Sequence, residues 1–157
     1  MQTALEFYGL MPQNFQLTIA SMSWLLTELP DKPGAGDATL WSCHGLTRAM
    51  KELFELSEWT IHDGFFNRKG ICHSWLVNES KELIFDIYPM GGYGGPILLD
   101  VGAFFSPWRG LYIEARQGYY DAKMSAFEAE GHEIVRISRK VRQNGKKEVA
   151  DAINAVS

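Results

Sequence analysis

The chain has 157 residues, of which 46% are hydrophobic, 13% aromatic and 22% charged, and its formal net charge is −4. This composition can build one hydrophobic core, which argues against intrinsic disorder and favours a single domain over residues 1–157. The mildly acidic charge provides no basic field for phosphates, so nucleic acid is not expected as a partner. The sequence has no run of roughly 20 apolar residues and no secretory signal at its start, so we expect a cytoplasmic protein without membrane contact.

Two helices are predicted in the N-terminal part of the chain. Residues 13–29 are rich in Leu, Ile, Met and Ala and precede Pro30, which is typical of a helix and its end. After a Pro- and Gly-rich loop, residues 43–56 give the clearest helical pattern, with Ser42 as the N-cap. The apolar residues of this helix recur at the spacing of one buried stripe, formed by Leu46, Ala49, Met50, Leu53 and Phe54.

The middle of the chain predicts a sheet, and the C-terminal third predicts helix. Strand-like runs separated by turn residues occur at residues 59–66, 71–78, 81–88, 97–101 and 111–115. The first three favour an antiparallel meander. Helices are predicted at residues 118–130 and 146–156, and the pattern at 132–141 is ambiguous.

Cys43 opens the second predicted helix. It lies three residues before Leu46, so its side chain is expected to point along the buried stripe, whereas His44 is expected on the polar side. A helix N-terminus favours a thiolate, and its free backbone N–H groups can bind an anion. The N–H groups of Cys43 and His44 are therefore the expected donors to an oxyanion.

The hairpin that follows the first predicted strand brings a histidine to an aspartate. With residues 79–80 as a two-residue loop, His73 lies directly opposite Asp86, within hydrogen-bonding reach on one face of the sheet. The same face carries several apolar residues, and we expect the second helix to cover it. Cys72 and Ser74 are expected to point the other way.

A thiol, an imidazole and a carboxylate together suit nucleophilic catalysis. Cys43 would be the nucleophile, His73 the general base and then the general acid, and Asp86 the group that orients His73. An imidazolium beside the sulfur favours the thiolate, and the carboxylate fixes the tautomer of the ring. This chemistry needs no metal and no organic cofactor.

Three short motifs resemble the core of the transglutaminase-like branch of the papain-like cysteine enzymes. They are Ser-Cys-His-Gly-Leu at residues 42–46, His-Ser-Trp-Leu at 73–76 and Asp-Ile-Tyr-Pro at 86–89. The resemblance implies an α+β, papain-like fold in which the nucleophile helix packs on a mainly antiparallel sheet. It implies attack on an amide bond of a protein or peptide substrate, as in a peptidase, an amidase, a glutamine deamidase or an acyltransferase. Residues 42–47 are also similar to the start of bacterial cell-wall endopeptidases of this superfamily, whose His-Val-Gly strand is absent here.

A Gly-rich loop at residues 90–96 follows the Asp86 strand directly. It lacks the Lys-Ser/Thr pair of a phosphate-binding loop, so a substrate groove is the better interpretation. The residues expected to line this groove are Trp75, Gly92, Tyr93, Gly94 and Trp108.

Other interpretations of the same residues stay open. A cysteine on an apolar helical stripe is ordinarily a small core residue. The dipeptides Cys43-His44 and Cys72-His73 could supply four zinc ligands, although neighbouring side chains converge poorly on one ion. A non-catalytic protein-binding module is the main competing class, and it would use the cleft or the basic cluster at residues 136–147.

Overall fold

The computed structural model describes residues 13–33, 40–67, 70–88, 96–100 and 110–156. Within these ranges the chain is a mixed α+β structure, and its antiparallel sheet confirms the sheet type that the sequence predicts. The elements, in chain order, are α1 (Gln13–Glu28), α2 (Cys43–Leu53), β1 (Thr60–Phe66), β2 (Ile71–Asn78), β3 (Leu83–Asp86), β4 (Ile97–Asp100), β5 (Tyr112–Glu114) and α3 (Asp121–Val156). None of these helices combines the length and the apolar composition that crossing a bilayer requires.

The five strands form one sheet in the order β4-β3-β2-β1-β5, and every neighbouring pair is antiparallel. Strands β1 to β4 follow one another as a meander, and β5 returns to the free side of β1. This last pairing depends on Gly64, because a Cβ atom at that position would lie 2.1 Å from the carbonyl oxygen of Ile113. A side chain there would therefore push β5 away from the sheet.

The β2–β3 hairpin has a four-residue loop, so the predicted two-residue loop is wrong. Asn78 pairs with Leu83, which leaves residues 79–82 in the turn. A two-residue hairpin needs positive φ angles that Glu and Ser rarely adopt. Here Glu82 alone has a left-handed conformation, with φ 51°, and the side chain of Asn78 accepts a hydrogen bond from the Lys81 N–H at 3.2 Å.

The register consequently differs from the predicted one by two residues. If the observed pairing is extended by one residue beyond Leu76 and Phe85, Asp86 lies opposite Trp75 and diagonal to His73. A shift of one residue would move a side chain to the other face of the sheet, but a shift of two keeps it on the same face. His73 and Asp86 therefore remain neighbours on one side of the sheet.

Helix α2 covers the opposite face from the predicted one. Its apolar residues share the main core with Leu76, Phe85 and Ile87, together with Ile134 and Val135 of α3. Side chains alternate along a strand, so the face of His73 and Trp75 points away from α2. That second face has its own buried cluster, which consists of Trp75, Ile84, Ile97 and Leu99, with Leu111 and Tyr112 packed against it.

Helix α3 is one continuous helix of 36 residues, where the sequence pattern predicts two helices with an ambiguous segment between them. Gly131 directly follows the first predicted helix, and in the structure it is buried inside α3. A Cβ atom at Gly131 would lie 3.0 Å from the Cβ of Arg48 on α2. The glycine thus permits a close crossing of two helices, and the packing gained there outweighs its low helix propensity.

Candidate active site

Cys43 is the first residue of α2 and is partly exposed. The helix begins there because Ser42 is extended, with ψ 152°, and its hydroxyl accepts a hydrogen bond from the Gly45 N–H at 3.1 Å. The sulfur of Cys43 lies 4.0 Å from the carbonyl oxygen of Cys72, at the start of β2. The N-cap and the strand together place this thiol at the positive end of the helix.

The first turn of α2 leaves two backbone donors without a helical acceptor. The N–H of Leu46 is the first to bond within the helix, to the carbonyl oxygen of Ser42 at 3.0 Å. The N–H of Gly45 is bound by the Ser42 hydroxyl. The N–H groups of Cys43 and His44 therefore lie at the helix end without an intrahelical acceptor, at the positions predicted for oxyanion donors.

His73 and Asp86 form a hydrogen-bonded pair in which both side chains are completely buried. The Nε2 atom of His73 lies 2.8 Å from Oδ2 of Asp86, and the exposed fraction of each side chain is 0%. The hydroxyl of Tyr112 donates to the same carboxylate oxygen at 2.7 Å. Among the described residues, Nδ1 of His73 has no hydrogen-bond partner, so it is the ring nitrogen available to a neighbouring sulfur.

The charges around His73 favour its protonated form. Burial lowers the pKa of His73, but the hydrogen-bonded Asp86 carboxylate and, to a smaller extent, the nearby Cys43 sulfur outweigh burial and raise the pKa to about 9. The histidine is therefore an imidazolium at neutral pH. Asp86 is bonded to Nε2 of the imidazole, and Cys43 is near enough to the ring to raise its pKa. The structure thus brings together the three predicted catalytic residues.

Tyr112 is a site residue that the sequence analysis missed. It lies on β5, whereas Asp86 lies on β3, and two other strands separate β5 from β3 in the sheet order. A hydrogen bond between such distant strands requires the sheet to curve, and strand patterns carry no signal for that curvature. Its ring also packs edge-on against Trp75, with ring centroids 5.2 Å apart.

The side chain of His44 lies in the interior, so the predicted polar-side position is wrong. It is 8% exposed, and its ring stacks on Phe127 of α3 at a centroid distance of 3.9 Å. Its Nδ1 atom is hydrogen-bonded to the hydroxyl of Ser74. The polar side of α2 is covered by α3, which the pattern of α2 alone does not reveal.

A buried polar network anchors α2 to the sheet next to this histidine. Arg48 binds the carboxylate of Asp63 through two nitrogens, at 3.1 and 2.7 Å, and the Ser74 hydroxyl donates to the same carboxylate. Burial raises the pKa of Asp63, but hydrogen bonds from His44, Arg48 and Ser74 hold it well below its usual range. Asp63 is therefore ionised at neutral pH, and its hydrogen bonds connect α2 with strands β1 and β2 next to Cys43.

The predicted groove residues are only in part within the described ranges. Trp75 is 2% exposed, and its ring stacks at 6.0 Å from that of His73, so it supports the histidine from inside the core instead of lining an open groove. Gly92, Tyr93, Gly94 and Trp108 lie outside the described residues.

The two Cys-His dipeptides do not converge on one point. His44 is bonded to Ser74 on one face of β2, and His73 is bonded to Asp86 on the other. In the part of the chain that the structure describes, no group of three or more His, Cys, Asp and Glu side chains is arranged to hold a metal ion.

The site was compared with known proteins by sequence and by structure. No protein-family model, no curated protein and no solved structure matches the chain.

Proposed function

We propose that this chain is a cysteine-dependent hydrolase or acyltransferase that attacks an amide bond of a protein or peptide. Cys43 is the nucleophile, His73 the general base and acid, and Asp86 the orienting carboxylate. The observation that carries the proposal is the buried His73 ring, which is bonded to Asp86 through Nε2. The thiol of Cys43, at a helix N-terminus, also contributes to the raised pKa of this ring. The order Cys, His, Asp along α2, β2 and β3 supports a papain-like core of the transglutaminase-like branch.

The first chemical step forms an acyl-enzyme. With the thiol proton already held by the His73 imidazolium, the sulfur of Cys43 attacks the carbonyl carbon as a thiolate, so that a C–S bond forms and the carbonyl oxygen becomes negative. The N–H groups of Cys43 and His44 are placed to bind this oxygen at the start of α2. The imidazolium then donates its proton to the leaving nitrogen as the C–N bond breaks, which leaves a thioester on Cys43.

The second step removes the acyl group. Water attack, with His73 as general base, gives a peptidase, an amidase or a glutamine deamidase, whereas attack by an amine gives acyl transfer. Asp86 holds the ring in place throughout by its hydrogen bond to Nε2. Because Tyr112 and His73 both donate to one oxygen of Asp86, the carboxylate is itself fixed by two hydrogen bonds.

Acylation by an activated ester tests this proposal. Treatment with p-nitrophenyl acetate is expected to release a burst of p-nitrophenolate and to add one acetyl group at Cys43, located by peptide mass spectrometry. The His73→Ala variant is expected to acylate about 10²- to 10⁴-fold more slowly, since it lacks the base. Cys72→Ser is the matched control, because it removes the other thiol and should keep the burst.

Alkylation provides a second readout that needs no substrate. Iodoacetamide at about pH 6 is expected to label Cys43 much faster than Cys72, and the difference should disappear in His73→Ala. Equal and slow labelling of both thiols in the unaltered chain would contradict the catalytic assignment. It would favour the non-catalytic binding module instead.

A further inference from the structure

Two free cysteines lie next to each other at the start of β2. The sulfur of Cys43 is 4.0 Å from the carbonyl oxygen of Cys72. A carbonyl oxygen lies about 2.4 Å from the Cα of its own residue, so this sulfur is at most about 6.4 Å from the Cys72 Cα. The sulfur of Cys43 thus contacts the backbone of Cys72 directly, and a disulfide requires such close neighbours, with Cα atoms roughly 4.4 to 6.8 Å apart.

The side chain of Cys72 lies on the face of the sheet that carries α2. It alternates with His73 and shares its face with Ser74, whose hydroxyl contacts His44 and whose carbonyl oxygen accepts from the Thr47 hydroxyl at 3.2 Å. Cys72 and Ser74 lie on the face opposite His73, as predicted, and it is this face that α2 covers. Cys72 and Cys43 occupy the same junction between the first turn of α2 and the beginning of β2.

Two further observations locate the Cys72 thiol. Burial, followed by hydrogen bonding with the Cys72 thiol, raises the pKa of Tyr120, and the Tyr120 ring lies 5.8 Å from the ring of His44. Cys72 is also exposed, whereas Cys43 is partly buried. Cys72 is thus an exposed residue whose thiol interacts with Tyr120, and Tyr120 lies beside His44, the residue that follows Cys43.

We propose that Cys43 and Cys72 form a peroxide-reactive dithiol, in which Cys72 traps the oxidised form of Cys43 as a reversible intramolecular disulfide. The inference rests on the proposed function, because it uses the activation of Cys43 by His73. It goes beyond that function by giving Cys72 a chemical role. The reactant is a hydroperoxide, and hydrogen peroxide is the simplest member of that class.

The oxidation proceeds in two balanced steps. The Cys43 thiolate attacks one oxygen of hydrogen peroxide, so an S–O bond forms, the O–O bond breaks and the departing hydroxide takes the His73 proton as water. Sulfur is oxidised to a sulfenic acid by two electrons, and the peroxide is reduced. The Cys72 sulfur then attacks the Cys43 sulfur, the S–O bond breaks, and the hydroxyl leaves with the Cys72 proton as a second water. The product is a disulfide.

Resolution by Cys72 also protects the nucleophile. A sulfenic acid without a neighbouring thiol is oxidised further to a sulfinic acid, which ordinary thiols do not reduce. Once the disulfide has formed, Cys43 cannot attack a carbonyl, so acylation stops until a reductant restores both thiols. Peroxide would therefore switch off the proposed acyl chemistry reversibly.

Peroxide treatment of the full chain tests the inference. In the unaltered chain, hydrogen peroxide is expected to remove two hydrogen atoms from the intact mass and to link the peptides of Cys43 and Cys72, and dithiothreitol should restore the p-nitrophenyl acetate burst. In Cys72→Ser, the same treatment should give sulfinic acid at Cys43, with about tenfold less activity regained after dithiothreitol. Cys43→Ser should leave Cys72 reduced, because the peroxide-reactive thiol is absent.

The outcomes separate this inference from the proposed function. If the burst occurs at Cys43 but peroxide gives sulfinic acid in both the unaltered chain and Cys72→Ser, the dithiol inference is overturned and the acyl chemistry stands. A disulfide between two chains, seen as a dimer without reductant, would also overturn it. If Cys43 neither acylates nor reacts with peroxide faster than Cys72, both proposals fail.

Discussion

Replacing Asp86 with Asn removes the buried negative charge next to His73 and keeps the size of the side chain. Asp86 is 0% exposed and accepts hydrogen bonds from His73 and Tyr112. The pKa of His73 is raised from 6.5 to about 9. At 1.36 kcal/mol per pH unit, this corresponds to about 3 kcal/mol in favour of the imidazolium, after the cost of burial has been overcome.

Asp86 is the larger of the two groups that raise this pKa, and Cys43 is the smaller. We therefore expect Asp86→Asn to lower the pKa of His73 by at least about 1 pH unit, and Cys43→Ala to lower it less. In the double variant only burial remains, so the pKa should fall below 6.5. Tyr112→Phe is the matched control, because it removes a hydrogen bond but leaves the charge, and the pKa should stay above 6.5.

The assay is an NMR titration of the imidazole C–H signals, which are few because the chain has 4 histidines. The His73 signal is assigned with a His73→Gln variant, and circular dichroism confirms that each variant is folded. A His73 that titrates at or below pH 6.5 in the unaltered chain would refute the argument. An unchanged pKa in Asp86→Asn would refute it as well, because the charge would then have no effect on the ring.

The raised pKa of His73 determines how its contribution to the free energy of unfolding changes with pH. The folded state holds the His73 proton more tightly than the unfolded state, whose histidine has a pKa near 6.5. The contribution of about 3 kcal/mol is therefore fully present below pH 6.5 and is lost as the pH rises through about 9. Urea denaturation across this window should show the loss in the unaltered chain and a smaller loss in Asp86→Asn.

Three further predictions concern the residues around the site. Tyr112→Phe should lower the free energy of unfolding by about 1–3 kcal/mol, measured by urea denaturation, because a buried carboxylate loses a donor. Gly45→Ala should lower the melting temperature, because a Cβ would lie 2.7 Å from Cγ of Glu130, and Glu130→Ala in the same chain should restore part of the loss. Arg48→Met should destabilise the fold by about 3 kcal/mol in denaturant, since it leaves the Asp63 carboxylate without its cation, and an unchanged midpoint would contradict the importance of this pair.

Much of the sheet could be predicted from the sequence because alternation and turn residues mark strands locally. The boundaries of β2 agree with the predicted ones, and β3 pairs with β2 as the predicted meander requires. The pairing of His73 with Asp86 was inferred from a wrong register, and it nevertheless occurs because the error was two residues. An error of one residue would have placed the two side chains on opposite faces.

The face covered by α2 could not be predicted because both faces of β2 are suited to burial. One face carries His73 and Trp75, and the other carries Ser74 and Leu76, and in the structure all four side chains are buried. Which face of β2 is covered by α2 depends on hydrogen-bond partners elsewhere in the chain. Asp63 on β1 and Arg48 on α2 satisfy the polar atoms on the Ser74 side, and a single-strand pattern contains no such pairing.

The two faces of β2 have complementary parts in the proposed reaction. On one face, Ser74 is hydrogen-bonded to His44, which fixes the first turn of α2 against the strand. On the other face, His73 is bonded to Asp86. Cys43 precedes His44 in the helix, so the contact between His44 and Ser74 also holds Cys43 next to the beginning of β2, where its sulfur lies 4.0 Å from the carbonyl oxygen of Cys72. The proposed nucleophile is therefore held near the strand of the proposed base by a buried contact that takes no part in the proposed chemistry, as a rigid scaffold holds a reactive pair in place.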